Sequence, residues 1–211
     1  MLSQQYTSGF GDSFYDVEPY QQLEKYSCGA AALKAVAQHW GDRIDERTLI
    51  KEIGIDPEAG STAGQVVDAA RRRGYPARVH QFSSIDELAR YTSRDIPVIV
   101  AIRSFLRPNQ GHFVVATKVT PVNVHVMDPN VRGNRRTIPR EDMIRRWRFR
   151  DNVGIIMLRR GKRPSSALGQ DTTATKKLDA KQIFALATVG VFVAVTIASA
   201  GIAIYRRRKS S

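Results

Sequence analysis

The 211-residue chain contains a single cysteine, Cys28, and this scarcity excludes several classes of protein. One thiol can form no intramolecular disulfide and cannot supply the ligands of a cysteine-based zinc site. The pattern GxxxxGK[ST] is also missing, so the chain has no phosphate-binding loop of the kind that hydrolyses ATP. The thiol is therefore free, which suits a reducing compartment.

The two ends of the sequence differ in their apolar content. The first twenty residues contain no basic stretch followed by an apolar run, so no cleavable secretory signal is visible. Residues 183–205 carry no charge at all and would span about 34 Å as a helix, which predicts a membrane span over residues 181–205. Basic residues flank both ends of this run almost equally, so the charge distribution does not predict its orientation in the membrane. The free thiol and the missing signal favour a domain in the cytosol.

The net charge of +13 raises nucleic acid or an anionic membrane as a partner. The basic run 145–150 interleaves arginines with Trp147 and Phe149, as single-strand nucleic-acid binders do, but these aromatics fit a core or a sheet better. Arginines and lysines beside a membrane commonly meet lipid headgroups. We therefore expect a lipid membrane, and no nucleic acid, as a partner.

Hydrophobic periodicity predicts helices first and strands afterwards. The predicted helices begin near Cys28, Asp45, Ser61, Ser84 and Pro139, and the predicted strands cover residues 77–81, 96–102, 112–118, 124–127 and 153–158. This order is typical of an α+β domain. The predicted organisation is a lead-in at residues 1–17, the domain at 18–160, a flexible linker at 161–180, the membrane helix at 181–205 and a basic tail at 206–211.

Cys28 lies where a loop turns into an apolar helix. Unpaired amides and the positive end of the helix dipole favour a thiolate there. Six residues earlier, Gln22 can supply a side-chain N–H to an oxygen that becomes negative during attack by the thiolate, with the Cys28 backbone N–H as a second donor. The alternative is that Cys28 is a small buried hydrophobic residue at the start of a core helix.

A cysteine nucleophile needs a base, and the chain has four histidines. His39 lies near the end of the Cys28 helix, and His80 and His125 lie in strands with no carboxylate or amide near them in the sequence. His112 begins a strand, and antiparallel pairing with the next strand brings Asp128 beside it. An aspartate there can accept the imidazole N–H and fix its tautomer.

Three segments together resemble a known family: Gln22 followed by Cys28-Gly29, Gly111 to Val115, and Met127-Asp128-Pro129. They are similar to the papain-like cysteine peptidases that process double-glycine leader peptides of bacteriocins, best known as domains of ABC transporters. The resemblance covers roughly residues 18–158. It implies a papain-like fold in which N-terminal helices pack on an antiparallel sheet.

The resemblance also implies roles for individual residues. Cys28 would be the nucleophile, His112 the general base and acid, Asp128 the orienting residue and Gln22 the oxyanion-hole donor. The substrate would be a peptide or protein, and the reaction would need no metal and no cofactor. With the predicted span, we expect a stand-alone, membrane-anchored form.

Two alternatives belong to other functional classes. Some members of the superfamily have lost the cysteine and serve as docking modules. The first alternative is therefore a non-catalytic peptide-binding module at the membrane. The other is an acyl or peptidyl transferase, in which an amine replaces water in the second step. The sequence does not separate hydrolysis from transfer.

Overall fold

The computed structural model describes residues 17–161. Its helices and strands, in chain order, are α1 Cys28–His39, α2 Glu46–Ile53, α3 Ala63–Arg72, β1 Ala77–Gln81, α4 Ile85–Thr92, β2 Val98–Arg103, β3 Gly111–Val119, β4 Asn123–Met127, β5 Arg135–Pro139, α5 Arg140–Arg148 and β6 Val153–Met157. Most of the predicted lead-in and linker, and all of the predicted membrane helix and basic tail, lie outside the described residues. Within residues 17–161, no helix has the length and apolar character that crossing a bilayer requires.

Side-chain caps explain where three of the five described helices begin. The Asp45 carboxylate accepts the Thr48 backbone N–H before α2, and the Ser84 hydroxyl accepts the N–H of Glu87 before α4. Thr62 forms a complete capping box with Gln65 at the start of α3. These local signals are readable in the sequence, which is why the helix starts agree with the prediction.

The strands form one six-stranded sheet in the order β1-β6-β2-β3-β4-β5, and every neighbouring pair is antiparallel. The fold is therefore α+β, as predicted. The edge strand β5 was not predicted, because its sequence RRTIP has little apolar character and ends in proline. Charged residues and proline are common on edge strands, which are exposed on one side.

Helices cover both faces of the sheet. Ile99 of β2 and Val115 of β3 pack in one core with α1 and α3. The residues directly before and after them in these two strands point to the opposite face of the sheet. On that face α4 contacts β2 and β3, and α5 contacts β2, β4 and β5. The N-terminal helices thus pack on the sheet as predicted, and the later helices complete a second core behind it.

The β3–β4 hairpin determines which polar residues meet at one end of the sheet. Val119 pairs with Val124 near the turn, and after a bulge Val115 pairs with Met127. Asp128 follows Met127 directly, so it lies diagonally across from His112 near the start of β3. The pairing therefore brings together two residues that are sixteen positions apart in the chain.

Gly154 in β6 provides a test of how tightly the sheet packs. A Cβ at this position would lie 2.8 Å from the Phe82 ring and 3.2 Å from the carbonyl oxygen of Ile99. We expect Gly154→Ala to lower the free energy of unfolding by about 1–3 kcal/mol through overpacking. Denaturant unfolding monitored by circular dichroism measures the change.

The matched control is Gly64→Ala in α3, where the nearest atom to the added methyl lies 3.9 Å away. This change should leave stability equal or raise it by up to about 1 kcal/mol, because alanine favours the helix. Equal effects of the two substitutions would contradict the packing described here.

Candidate active site

Cys28 is the first residue of α1 and is partly exposed. The N-cap residue, Ser27, makes no side-chain bond to the amides of α1, since its hydroxyl oxygen accepts the Glu24 backbone N–H at 3.0 Å and its proton is donated to Glu46 at 2.8 Å. The backbone N–H groups of Gly29 and Phe113 point at the Cys28 sulfur. The first turn of α1 therefore presents one donor to the thiol, as the sequence predicts for a helix N-terminus, and β3 presents the other.

The His112 imidazole lies between the Cys28 thiol and the Asp128 carboxylate. Its Nε2 is 2.7 Å from Oδ1 of Asp128, and the ring also hydrogen-bonds to the Cys28 side chain. Because Nε2 is engaged by the carboxylate, Nδ1 is the nitrogen that faces the sulfur. The structure thus brings together three residues that lie far apart in the sequence.

The pKa values of the thiol and the imidazole are shifted in opposite directions. Burial alone raises the pKa of Cys28, but the hydrogen bond and charge of His112, with the amides of Phe113 and Gly29, lower it overall. Burial alone lowers the pKa of His112, but Asp128 and Cys28 raise it to about 9. Both shifts favour the thiolate–imidazolium form of the pair over the neutral form, and the thiolate is the reactive form of a cysteine nucleophile.

Asp128 is only 1% exposed, so its charge depends on its partners. An isolated buried carboxylate would cost several kcal/mol. Burial raises the pKa of Asp128, but His112, the backbone N–H of Asn130 and Arg136 together lower it below its usual value. Arg136 Nε lies 3.0 Å from Oδ2, and the Asn130 nitrogen lies 3.0 Å from Oδ1. The carboxylate is therefore ionised and fixed in orientation.

Gln22 lies close to this site through its backbone. Its N–H donates to the carbonyl of Pro129, the residue after Asp128, at 3.0 Å. Its side-chain Nε2 donates to the Glu24 carbonyl at 2.7 Å, and its buried Oε1 has no hydrogen-bond partner. Gln22 is thus held beside the segment that carries Asp128, but its side chain makes no hydrogen bond to Cys28.

Buried Glu46, on α2, fixes the loop that connects Gln22 to Cys28. Its Oε1 accepts the Leu23 backbone N–H at 2.9 Å and the Ser27 hydroxyl at 2.8 Å. Ser27 in turn contacts both backbone groups of Glu24. The role of Glu46 was not predicted, since nothing in the sequence shows that its side chain reaches the preceding loop.

An open cleft of about 930 Å³ exposes the thiol and the imidazole. Its walls are formed by Tyr26, by residues 56–63, by residues 104–113 and by Arg150 and Asp151 at the turn after α5. Asp128 is not one of the residues that line the cleft, because it lies behind His112. An extended peptide can therefore reach the sulfur and the ring, while the carboxylate stays shielded from water.

The other histidines lie outside the cleft, and one differs from the prediction. His80 Nε2 lies 2.7 Å from Oε1 of Glu87, so His80 does have a carboxylate partner, contrary to the prediction. That carboxylate lies on α4, seven residues further along, and it also accepts the Ser83 hydroxyl at 2.9 Å. With no thiol or hydroxyl placed against the ring, this pair joins α4 to β1.

A thiol paired with an imidazole that a buried carboxylate orients, on an α+β fold, defines a class: the papain-like cysteine peptidases. The chain matches the family described as the Peptidase C39 family over residues 16–158, more than half of its length. It belongs to that family and is a cysteine-type peptidase.

Solved structures share this fold. The peptidase domain of Streptococcus ComA, described as a bifunctional ABC transporter of a quorum-sensing pathway, is 22% identical with a TM-score of 0.57, and the match covers 65% of this chain and 95% of that chain. A double-glycine-motif protease from an AMS/PCAT transporter, solved with its leader peptide, is 23% identical with a TM-score of 0.51 and coverages of 67% and 90%. A C39-like peptidase from Bacillus anthracis is 19% identical with a TM-score of 0.58 and coverages of 69% and 96%. No curated protein has a significant match to this chain.

The opposite pKa shifts predict how Cys28 reactivity depends on pH. Because the pKa of the thiol is lowered, the rate of alkylation by iodoacetamide should reach its half-maximal value at a lower pH in the folded protein than in the same chain unfolded in denaturant. His112→Ala removes the stabilising cation and should move this midpoint upward. Since the chain has one cysteine, the alkylation rate measured by mass spectrometry reports on Cys28 alone.

The matched control is His80→Ala, which removes the other histidine hydrogen-bonded to a carboxylate side chain at 2.7 Å and should leave the midpoint unchanged. A wild-type midpoint at or above that of the unfolded chain, or the same shift in both variants, would contradict the ion pair.

Proposed function

We propose that this chain is a membrane-anchored peptidase that hydrolyses the bond following a double-glycine-type leader in a peptide substrate. The observation that carries the proposal is the hydrogen-bonded series from Cys28 through His112 to Asp128, which opens into a cleft at its sulfur end. Membership of the Peptidase C39 family supports leader processing as the reaction.

In the first step the Cys28 thiolate attacks the scissile carbonyl carbon and forms a tetrahedral intermediate. The His112 imidazolium then gives its proton to the leaving amine as the C–N bond breaks, which leaves an acyl-enzyme. Neutral His112 next takes a proton from water, and the resulting hydroxide equivalent attacks the thioester. The carboxylic acid product leaves and Cys28 is regenerated as the thiolate, with His112 protonated again.

The negative oxygen of each tetrahedral intermediate needs donors, and we assign this role to Gln22 and the Cys28 backbone N–H. One hydrogen of Gln22 Nε2 is engaged by the Glu24 carbonyl, which leaves the second hydrogen for the substrate oxygen. Exchanging the amide oxygen and nitrogen would set two oxygens against each other, so the Glu24 contact supports this orientation. The bond from Gln22 N–H to Pro129 holds this residue beside the segment that carries Asp128, which supports the assignment.

A leader peptide is the substrate that the comparisons favour. The AMS/PCAT protease, which shares this fold, was solved with its leader peptide. In this chain Cys28 and His112 line a cleft of about 930 Å³, which leaves room for a peptide segment at the sulfur. We propose that the residues just before the scissile bond are small, as in a double-glycine motif.

We further propose that residues 181–205 anchor the peptidase in a membrane, with the domain at residues 18–160 on the cytosolic side and residues 161–180 as a flexible linker. The charge-free run at residues 183–205 and the basic residues that follow it support the anchor. The cytosolic side is favoured because the catalytic thiol must remain reduced to act. A non-catalytic module would need neither the lowered pKa of Cys28 nor the fixed orientation of His112.

The proposed roles predict a graded set of losses in a peptide-cleavage assay. Cys28→Ala and His112→Ala should lower kcat/KM by about 10³-fold or more, because each removes a reacting group. Gln22→Ala should lower kcat by about 10²-fold or more, because the oxyanion loses one donor. Cleavage is followed by mass spectrometry with a synthetic peptide that carries Gly-Gly before the scissile bond.

Two controls accompany this assay. His80→Ala should retain wild-type kcat/KM, and a peptide with leucine in place of the second glycine should be a poor substrate. Unchanged cleavage by Cys28→Ala would refute the peptidase mechanism. Equal cleavage of the two peptides would refute the leader-type specificity alone.

The membrane proposal predicts that Cys28 is hidden from a membrane-impermeant maleimide in intact cells. Labelling should appear only after lysis, and the protein should stay in the membrane fraction after a carbonate wash. Removing residues 181–211 should release it to the soluble fraction. Labelling of Cys28 in intact cells would place the domain on the opposite side of the membrane.

A further inference from the structure

Arg136, on the unpredicted edge strand β5, contacts the oxygen of Asp128 that His112 does not use. Its Nε lies 3.0 Å from Oδ2, whereas His112 Nε2 lies 2.7 Å from Oδ1. The pairing of β4 with β5, in which Arg136 lies opposite Val126, puts Arg136 next to the end of β4 where Asp128 follows. The Arg136 side chain is 28% exposed and the Asp128 side chain 1%, so this arginine closes the outer side of the carboxylate.

A second contact holds the arginine in place. Its guanidinium lies over the Phe105 ring at 4.0 Å from the ring centre. The guanidinium of Arg146, from α5, lies 3.6 Å from the centre of the same ring. Phe105 belongs to the segment between β2 and β3, and its neighbours Ser104 and Leu106 line the cleft. Arg136 is therefore joined to the cleft wall as well as to Asp128.

We propose that Arg136 is a positioning residue of this peptidase, whose Nε–H bond fixes the Asp128 carboxylate so that Oδ1 faces the His112 ring. The inference rests on the proposed function of Cys28, His112 and Asp128. It adds a fourth member to their series, in which thiolate, imidazolium, carboxylate and guanidinium alternate in charge.

The geometry explains why the arginine is needed. A carboxylate can rotate about its Cβ–Cγ bond, and rotation of Asp128 would turn Oδ1 away from His112. The Asn130 N–H also holds Oδ1, but within residues 17–161 Arg136 is the only side chain that bonds to Oδ2. The charged groups that face Asp128 are His112 from β3 and Arg136 from β5, while Cys28 from α1 lies beyond the imidazole. Losing Arg136 would leave Oδ2 buried without a donor.

Two substitutions of similar length separate the hydrogen bond from mere packing. Arg136→Gln places an amide Nε2 where the arginine Nε lies, so a donor to Oδ2 is kept while the charge is lost. Arg136→Met has a chain of the same length but no donor. We expect Arg136→Met to lower kcat/KM by about 10- to 100-fold, and Arg136→Gln to stay within about threefold of wild type.

The pH dependence supplies a readout that packing alone would not change. In Arg136→Met the imidazolium loses its oriented partner, so the alkaline limb of kcat/KM should move to lower pH. The midpoint of Cys28 alkylation by iodoacetamide should move to higher pH in the same variant, because a less stable imidazolium stabilises the thiolate less. Both should stay close to wild type in Arg136→Gln.

Arg146→Met is the matched control. It removes the other guanidinium from the Phe105 ring without touching Asp128, and it should leave kcat/KM within about twofold of wild type. In an Asp128→Asn background, Arg136→Met should lower kcat/KM by less than about twofold further, because the carboxylate that it positions is gone.

Three outcomes would overturn the proposal: wild-type kinetics and alkylation in Arg136→Met, equal losses in Arg136→Met and Arg146→Met, or the same loss from Arg136→Met with and without Asp128. If Arg136→Met does not fold by circular dichroism, Arg136→Lys keeps the charge and moves the donor one bond further. That variant should shift the alkylation midpoint upward relative to Arg136→Gln, which keeps the donor in place, and no shift would also overturn the proposal. Alkylation needs no substrate, so a failure of the proposed peptidase function would be recognised separately.

Discussion

The buried hydrogen bond between Asp128 and His112 is the constraint on which the rest of the site depends. A carboxylate that is 1% exposed stays ionised only if its oxygens are fully partnered. Its partners come from β3, from the turn after β4 and from β5. The Asp128 carboxylate can therefore be ionised only because these three strands are neighbours in the sheet. The same bond fixes which nitrogen of the imidazole faces Cys28.

The thiol comes from the N-terminal part of the domain, which is built from helices. α1 begins at Cys28, and buried Glu46 on α2 holds the preceding loop through Leu23 and Ser27. The backbone bond from Gln22 to Pro129 then joins this loop to the segment after Asp128. The loop before Cys28 and the segment after Asp128 are each held by their own hydrogen bonds, and the bond from Gln22 to Pro129 joins them. The thiol and the imidazole therefore meet without a movement of either segment.

Sequence patterns predicted much of the fold, because the signals are local. Caps at Asp45, Thr62 and Ser84 lie within one turn of the helices that they begin, and apolar strand residues repeat with the period of the sheet. The strand β5 was missed because a charged edge strand lacks that period. The pair of His80 with Glu87 was missed because the two residues belong to a strand and to the helix after it, and only their packing brings them into contact.

The sequence was enough to predict the three residues to which we assign the chemistry: one thiol at a helix start, one histidine at a strand start and one aspartate at the end of the paired strand. Periodicity and short-range hydrogen bonding are properties of neighbouring residues, so they can be read along the chain. Only the tertiary structure decided that Arg136 reaches Asp128, that Glu46 holds the loop before Cys28 and that the Gln22 amide bonds to Glu24. These contacts depend on side-chain direction and burial, which are set when separate elements pack together and exclude water.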